Sequence, residues 1–235
     1  MRITLIGHST FLIEVTGKKI ITDPYFGTWG NPAYARVAPP AQPREGLQNV
    51  DIVLISHNHW DHTDGKFLRA LPANVPVLTP KKVAWLTAVI GAQNPIGVEP
   101  WETRQFGEAS IAVVPAVHGA ITHGYVIAGE GKQVYFAGDT FFAPFMVEVG
   151  KRFKLDVALM PVTTYRIPMT MNETQAVRAV KDLQPAHVVP IHLGIRPRSF
   201  LLRTSQTPQG FIQKLRAAGL ETEVTVLKEG ESLSL

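Results

Sequence analysis

Apolar and polar positions along this chain fall into short blocks. Residues 3–6, 10–15 and 19–22 are rich in β-branched and aromatic side chains and are separated by Gly7-His8-Ser9 and Thr16-Gly17-Lys18. That pattern predicts an antiparallel meander. The run Asp51-Ile52-Val53-Leu54-Ile55-Ser56 is apolar between polar ends, as a short buried strand would be. Residues 76–79 predict a further strand and 81–90 a helix, with Pro80 at its first position and Gly91 closing it. A second strand block covers 110–117, 124–128 and 133–137. Helices are then predicted at 142–153, 172–183 and 208–218, strands at 155–160 and 186–191, and short terminal strands at 224–226 and 232–235. The helix at 172–183 has the firmest pattern: Asn172 can cap it, and Ala176, Val177, Val180 and Leu183 share one face. Two strand blocks, each followed by helices, predict an α/β protein with two packed sheets and helices outside them. Between the blocks of regular structure, residues 24–49 carry Pro, Gly and aromatics without a sustained period, which reads as a functional loop.

With 235 residues, 45% hydrophobic and 18% charged, the chain suits one domain over 1–235. The formal charge of +4 comes from scattered Lys and Arg, a weak basis for a stable nucleic-acid partner. Cysteine is absent, so disulfides and thiolate ligands are excluded and any bound metal must be held by nitrogen and oxygen. The apolar run at the amino terminus is interrupted too early for a secretory signal, and no apolar stretch approaches the roughly 18 residues of a membrane helix. A cytoplasmic protein without a membrane span is therefore expected, and a homo-oligomer is compatible with the sequence.

The chemistry concentrates at His57-Asn58-His59-Trp60-Asp61-His62, directly after the apolar run. In an extended segment His57, His59 and Asp61 share a face. Three close imidazoles repel one another when protonated and gain little from packing, so the cluster suits a metal better than a solvated loop. Asp23, His118, Asp139 and His192 also stand at the ends of predicted strands. Singly, such a histidine is more often structural, and such an aspartate a turn former. Residues leaving different strands at one sheet edge can nevertheless converge.

His57-x-His59-x-Asp61-His62, followed by separate His118, Asp139 and His192, resembles the metallo-β-lactamase superfamily signature. Within it, Leu5-Ile6-Gly7-His8-Ser9, Thr22-Asp23-Pro24, residues 135–140 and 190–194 are similar to the ascorbate-6-phosphate lactonase-like and N-acylphosphatidylethanolamine phospholipase D-like branch. The resemblance implies a four-layer αββα sandwich, two mixed sheets with outer helices, and two divalent metals at one edge. His57, His59 and His118 would hold the first metal, Asp61, His62 and His192 the second, and Asp139 would bridge them. Zinc suits the donor set, with manganese or iron as alternatives. The expected activity is hydrolysis of a small ester, lactone or phosphodiester by a metal-bridging hydroxide, with Asp61 orienting it. Alternatives are a nucleic-acid-processing phosphodiesterase of the same fold and a non-catalytic metal-binding protein.

Asp23 fits a role behind a ligand histidine, or a simple turn before Pro24. His8 and His123 are candidate cleft residues, whereas His187 reads as structural or solvent-facing. Tyr165 and Arg166 can face an anionic group or developing oxyanion. Arg196, Arg198 and Arg203, with Lys181, form either a rim for an anionic substrate or scattered solvated charge. Tyr25, Phe26, Trp29 and Tyr34 either cover the metals as a lid or pin the loop to the core.

Overall fold

A computed structural model describes residues 1–27 and 31–235. Trp29 of the expected lid lies outside the described residues. The first sheet begins with β1 (Arg2–Gly7), β2 (Thr10–Val15) and β3 (Lys18–Thr22), an antiparallel meander. After a short β4 (Tyr34–Arg36) outside this sheet, it continues through β5 (Ile52–Leu54), β6 (Val77–Pro80) and β7 (Pro95–Val98), all parallel to β3. The second sheet repeats the plan. β8 (Thr103–Phe106), β9 (Ala109–Pro115), β10 (His123–Gly129) and β11 (Lys132–Phe136) are antiparallel, and β12 (Val157–Pro161) and β13 (His187–Ile191) continue parallel to β11. β14 (Ile195–Pro197) pairs with β4 in a separate ribbon, β15 (Glu223–Val224) extends the second sheet, and β16 (Ser232–Ser234) returns to β1.

The helices α1 (Gly65–Ala70), α2 (Ala84–Ile90), α3 (Phe145–Arg152), α4 (Glu173–Leu183) and α5 (Pro208–Ala217) are crossovers between parallel strands. Alternating strand positions explain the layering. Ile3, Phe11, Ile13 and Leu54 of the first sheet meet Ile111, Val113, Tyr125 and Ile127 of the second in one buried layer between the sheets. The opposite face of the first sheet packs Ile21 and Val53 on Phe67 and Leu68 of α1. The outer face of the second packs Tyr135, Ala158 and Val188 on α3, α4 and α5 through Met146, Ala176, Val180 and Phe211. This is the metallo-β-lactamase fold, two large mixed sheets with helices outside, as the resemblance implied.

Asn172 caps α4 in a full capping box with Gln175, as its spacing predicts. Pro80 does not start a helix. It ends β6, where strand pairing carries it opposite Val98, and a 3-10 turn over Lys81–Val83 intervenes before α2. Helix α1, capped by Asp64, and strands β7 and β8 were not anticipated: α1 is six residues long, and Thr103–Phe106 is a mostly exposed edge with little apolar signal. Among the described residues, no helix is long and apolar enough to cross a membrane.

Candidate metal centre

Strand direction explains why the candidate residues meet. β1, β3 and β5 run the same way in the first sheet, as do β9, β11 and β13 in the second. His8, Asp23 and the 57–62 segment therefore leave the first sheet at one edge, and His118, Asp139 and His192 leave the second there. Tyr125 ties the sheets together beneath that edge by donating its hydroxyl to the Ile55 carbonyl, 2.8 Å away. His8, Asp23 and His192 each take a positive φ, of 61°, 32° and 64°. Such backbone strain tends to gather where surrounding structure imposes a functional geometry.

The extension after β5 does not last to Asp61. The chain turns at 59–62, with the His62 N–H bonded to the His59 carbonyl at 3.1 Å. The turn splits the cluster. One ligand atom from each of His57, His59 and His118 lies within 4.8 Å of the others, and a second group joins Asp61, His62 and His192 with His8. Asp139 stands between them: its Oδ2 is 3.8 Å from His118 Nε2 and 3.5 and 3.2 Å from the Nε2 atoms of His62 and His192.

Asp23 fixes which face of two imidazoles looks inward. It is fully buried and accepts from the Ser56 N–H, the Ser56 hydroxyl and His62 Nδ1, each at 2.6 Å. With its proton committed to Asp23, Ser56 Oγ accepts from His57 Nδ1 at 2.9 Å. Both imidazoles thus hold Nδ1–H outward and Nε2 towards the centre. Those Nε2 atoms, like Asp139 Oδ1, are buried without a partner among the described residues. Buried polar atoms in native proteins almost always have partners, so the three atoms mark a place a cation fits.

His8 differs from the residues grouped with it. Its Nδ1 accepts the Gly194 N–H at 3.2 Å, which leaves the proton on Nε2, 3.5 Å from Asp61 Oδ2. Its Nε2, buried without a closer partner, therefore points a proton at Asp61, and as a buried group it does not face the cavity.

The charges are ordered accordingly. Burial is the main reason that His57, His59 and His118 have lowered pKa values, which keeps them neutral and able to bind metal. Burial also takes His8 down to about 3, with His192 adding to it. At Asp61 burial opposes ionisation, but His62, His8 and His192 hold it below the usual carboxylate range. His62 also resists charge through burial, yet the carboxylates of Asp139, Asp23 and Asp61 raise it well above an ordinary histidine, so a cation bound here would displace the proton from its Nε2.

The centre opens into a cavity of about 220 Å³ whose floor includes His59, Asp61, Asp139 and His192. Tyr165 lines it. The Arg166 and His123 side chains do not, and His187 bonds Thr225 at 2.7 Å far along its strand from His192. Of the loop aromatics, Tyr34 reaches the cavity. Tyr25 and Phe26 are buried, Tyr25 under the Arg36 guanidinium and Phe26 against Phe67. Ser56 was not singled out by sequence, although its place between an apolar strand and the first ligand was a usable signal.

Close approach of the sheets depends on Gly138. A Cβ there would lie 2.4 Å from Ser56 Cβ, and its φ of 56° is unfavourable for a side chain. Gly138→Ala is expected to cost more than about 1 kcal/mol and to lower bound metal, since Ser56 and Asp139 both move. Thermal unfolding with metal analysis checks this; unchanged values in both would refute it.

A model of the Beta-lactamase superfamily domain matches residues 18–193. A UPF0173 metal-dependent hydrolase of Pelotomaculum thermopropionicum is 33% identical, over 100% of both chains. Among solved structures, Igni18, a metallo hydrolase from Ignicoccus hospitalis, superposes with a TM-score of 0.78 at 30% identity, covering 99% of this chain and 97% of that one. An isothiocyanate hydrolase from Delia radicum gut bacteria shares the fold, with a TM-score of 0.81 at 23% identity over 100% and 99% of the two chains. On the family match and the Pelotomaculum thermopropionicum relative, the chain belongs to the metallo-β-lactamase superfamily, among its UPF0173 metal-dependent hydrolases.

Proposed function

We propose that this metal-dependent hydrolase is dinuclear and cleaves a small ester, lactone or phosphodiester. The observation that carries the reading is the division of the ligand-type residues into two half-sites around Asp139, with inward nitrogens of His57 and His62 left unpaired in the interior. A donor set of nitrogen and oxygen suits zinc, with manganese or iron as alternatives. When bound, such a pair supplies a water acidified towards neutral pH and a Lewis acid for the substrate's carbonyl or phosphoryl oxygen. Lactones and phosphodiesters are included because residues 5–9, 22–24, 135–140 and 190–194 resemble the branch named above.

The protein groups then have separate tasks. Asp61, ionised at the cavity floor, orients the attacking water and takes its proton for delivery to the leaving group. His8 steadies Asp61 from behind, and Asp23 sets His62 directly and His57 through Ser56. Burial, aided by the nearby carboxylates of Asp61 and Asp139, raises the Tyr165 pKa, so this residue stays a neutral hydroxyl at the cavity wall. Its hydroxyl donates to the Ile195 carbonyl at a long 3.3 Å, a bond it can exchange for one to an oxyanion.

Protein purified without chelator is expected to hold close to two metals per chain. Chelation should abolish hydrolysis, and metal should restore it. A content of one metal or none, at full activity, would sink the dinuclear reading.

A further inference from the structure

The walls of the cavity differ from its floor. They are Tyr34, Trp60, Tyr165, Met169 and Ile195. Tyr34 bridges the other two rings, with centroids 6.2 Å from Trp60 and 5.4 Å from Tyr165. The imidazoles and carboxylates form the floor, and the wall is largely ring and aliphatic surface whose polar atoms are the Tyr34 and Tyr165 hydroxyls and the Trp60 N–H. No Lys or Arg lines the cavity among the described residues.

Two nearby guanidinium groups are engaged by backbone carbonyls. Arg36 donates to the carbonyls of Tyr25, Gly27 and Ala38. Arg203 donates to those of Pro197 and Arg198, while Arg166 and Arg196 are exposed. A phosphate or carboxylate on the non-reacting part of a substrate would leave water here without a counter-charge or a guanidinium fork to receive it. An aromatic or branched apolar body would instead gain ring contacts and lose little hydration. Beside Tyr165 and Ile195 in sequence, exposed apolar residues alternate with arginines. The Arg166 N–H bonds the Leu202 carbonyl, joining the two segments that carry exposed Ile167, Phe200 and Leu201. At about 220 Å³ the space lies below the 300–1,000 Å³ of drug-sized pockets, which restricts that body to about one ring.

We propose that the substrate carries an uncharged body of about one aromatic or branched apolar ring, seated against Tyr34, Trp60 and Tyr165 while its reacting group faces Asp61 and Asp139. This rests on the metal-hydrolase reading and narrows it: an anionic tail, such as a sugar phosphate, is disfavoured.

Three hydroxamates with one chelating head separate the two. Binding of acetohydroxamate, benzohydroxamate and 4-carboxybenzohydroxamate to the zinc-loaded full chain is measured by calorimetry. Benzohydroxamate should bind about tenfold tighter than acetohydroxamate, and the added carboxylate should remove that advantage. In Trp60→Ala and in Tyr165→Ala, made separately, the ratio of the first two affinities should fall towards one. Equal affinities in the parent protein, or tighter binding of the carboxylated probe, would overturn the proposal and leave the metal reading standing. If the chain takes up no zinc, the metal reading falls and takes the proposal with it.

Discussion

Asp61→Asn is expected to lower kcat by about 10²- to 10⁴-fold, the usual worth of a positioned acid–base group. The amide keeps the volume and one carbonyl oxygen but removes the charge that His62, His8 and His192 stabilise together. It also cannot accept the proton of an attacking water. The first half-site should survive, because His57, His59 and His118 form their own group apart from Asp61. Turnover at saturating metal, set beside metal content, separates the roles. If Asp61 only holds a cation, excess metal restores most of the rate. If it manages the proton, the loss persists with both metals bound. A variant with unchanged kcat would move the acid–base work to another group.

Much of this centre was legible because a histidine or aspartate after a β-rich run carries its own address. A strand end fixes the sheet edge, and strand direction then decides which ends coincide. His57, His59, Asp61, His62, His118, Asp139 and His192 could all be picked out on that ground, and they do meet. The layered fold was readable for the same reason, through strand blocks with intervening helices. Ser56 was less visible, since its role exists only once Asp23, 33 residues earlier, is beside it. The cavity wall was harder still. Tyr34 and Ile195 come together through the β4–β14 ribbon, in which Ile195 pairs with Arg36 and Pro197 with Tyr34, a register that no local pattern encodes. Arginine positions were legible but their directions were not: Arg203 is close to His192 in sequence, yet its guanidinium is engaged by backbone carbonyls. His8 shows the converse, a candidate for the cleft that its hydrogen bonds place behind Asp61.

Asp23 provides the second large expected effect, because substitutions there distinguish folding from metal binding. Asp23→Ala strips three donors, the Ser56 N–H, the Ser56 hydroxyl and His62 Nδ1, of their acceptor in a fully buried pocket. Breaking a buried charged pair on one side costs about 3–5 kcal/mol, so a large fall in melting temperature is expected. Asp23→Asn keeps the shape and should cost much less. Its Oδ1 can still accept from the Ser56 N–H, but the amide nitrogen then faces Ser56 Oγ and His62 Nδ1 as a donor. His62 must accept that hydrogen bond at Nδ1 and carry its own proton on Nε2, the atom that points to the centre. Affinity for the second metal should fall by about 10- to 100-fold. His57 would be affected through Ser56, whose hydroxyl loses its acceptor and is freed to donate to His57 Nδ1. Stepwise cobalt titration, followed by absorbance and paired with thermal unfolding, tests this: a folded Asp23→Asn protein that binds both metals as tightly as the parent would show that the buried carboxylate does not set the imidazole tautomer.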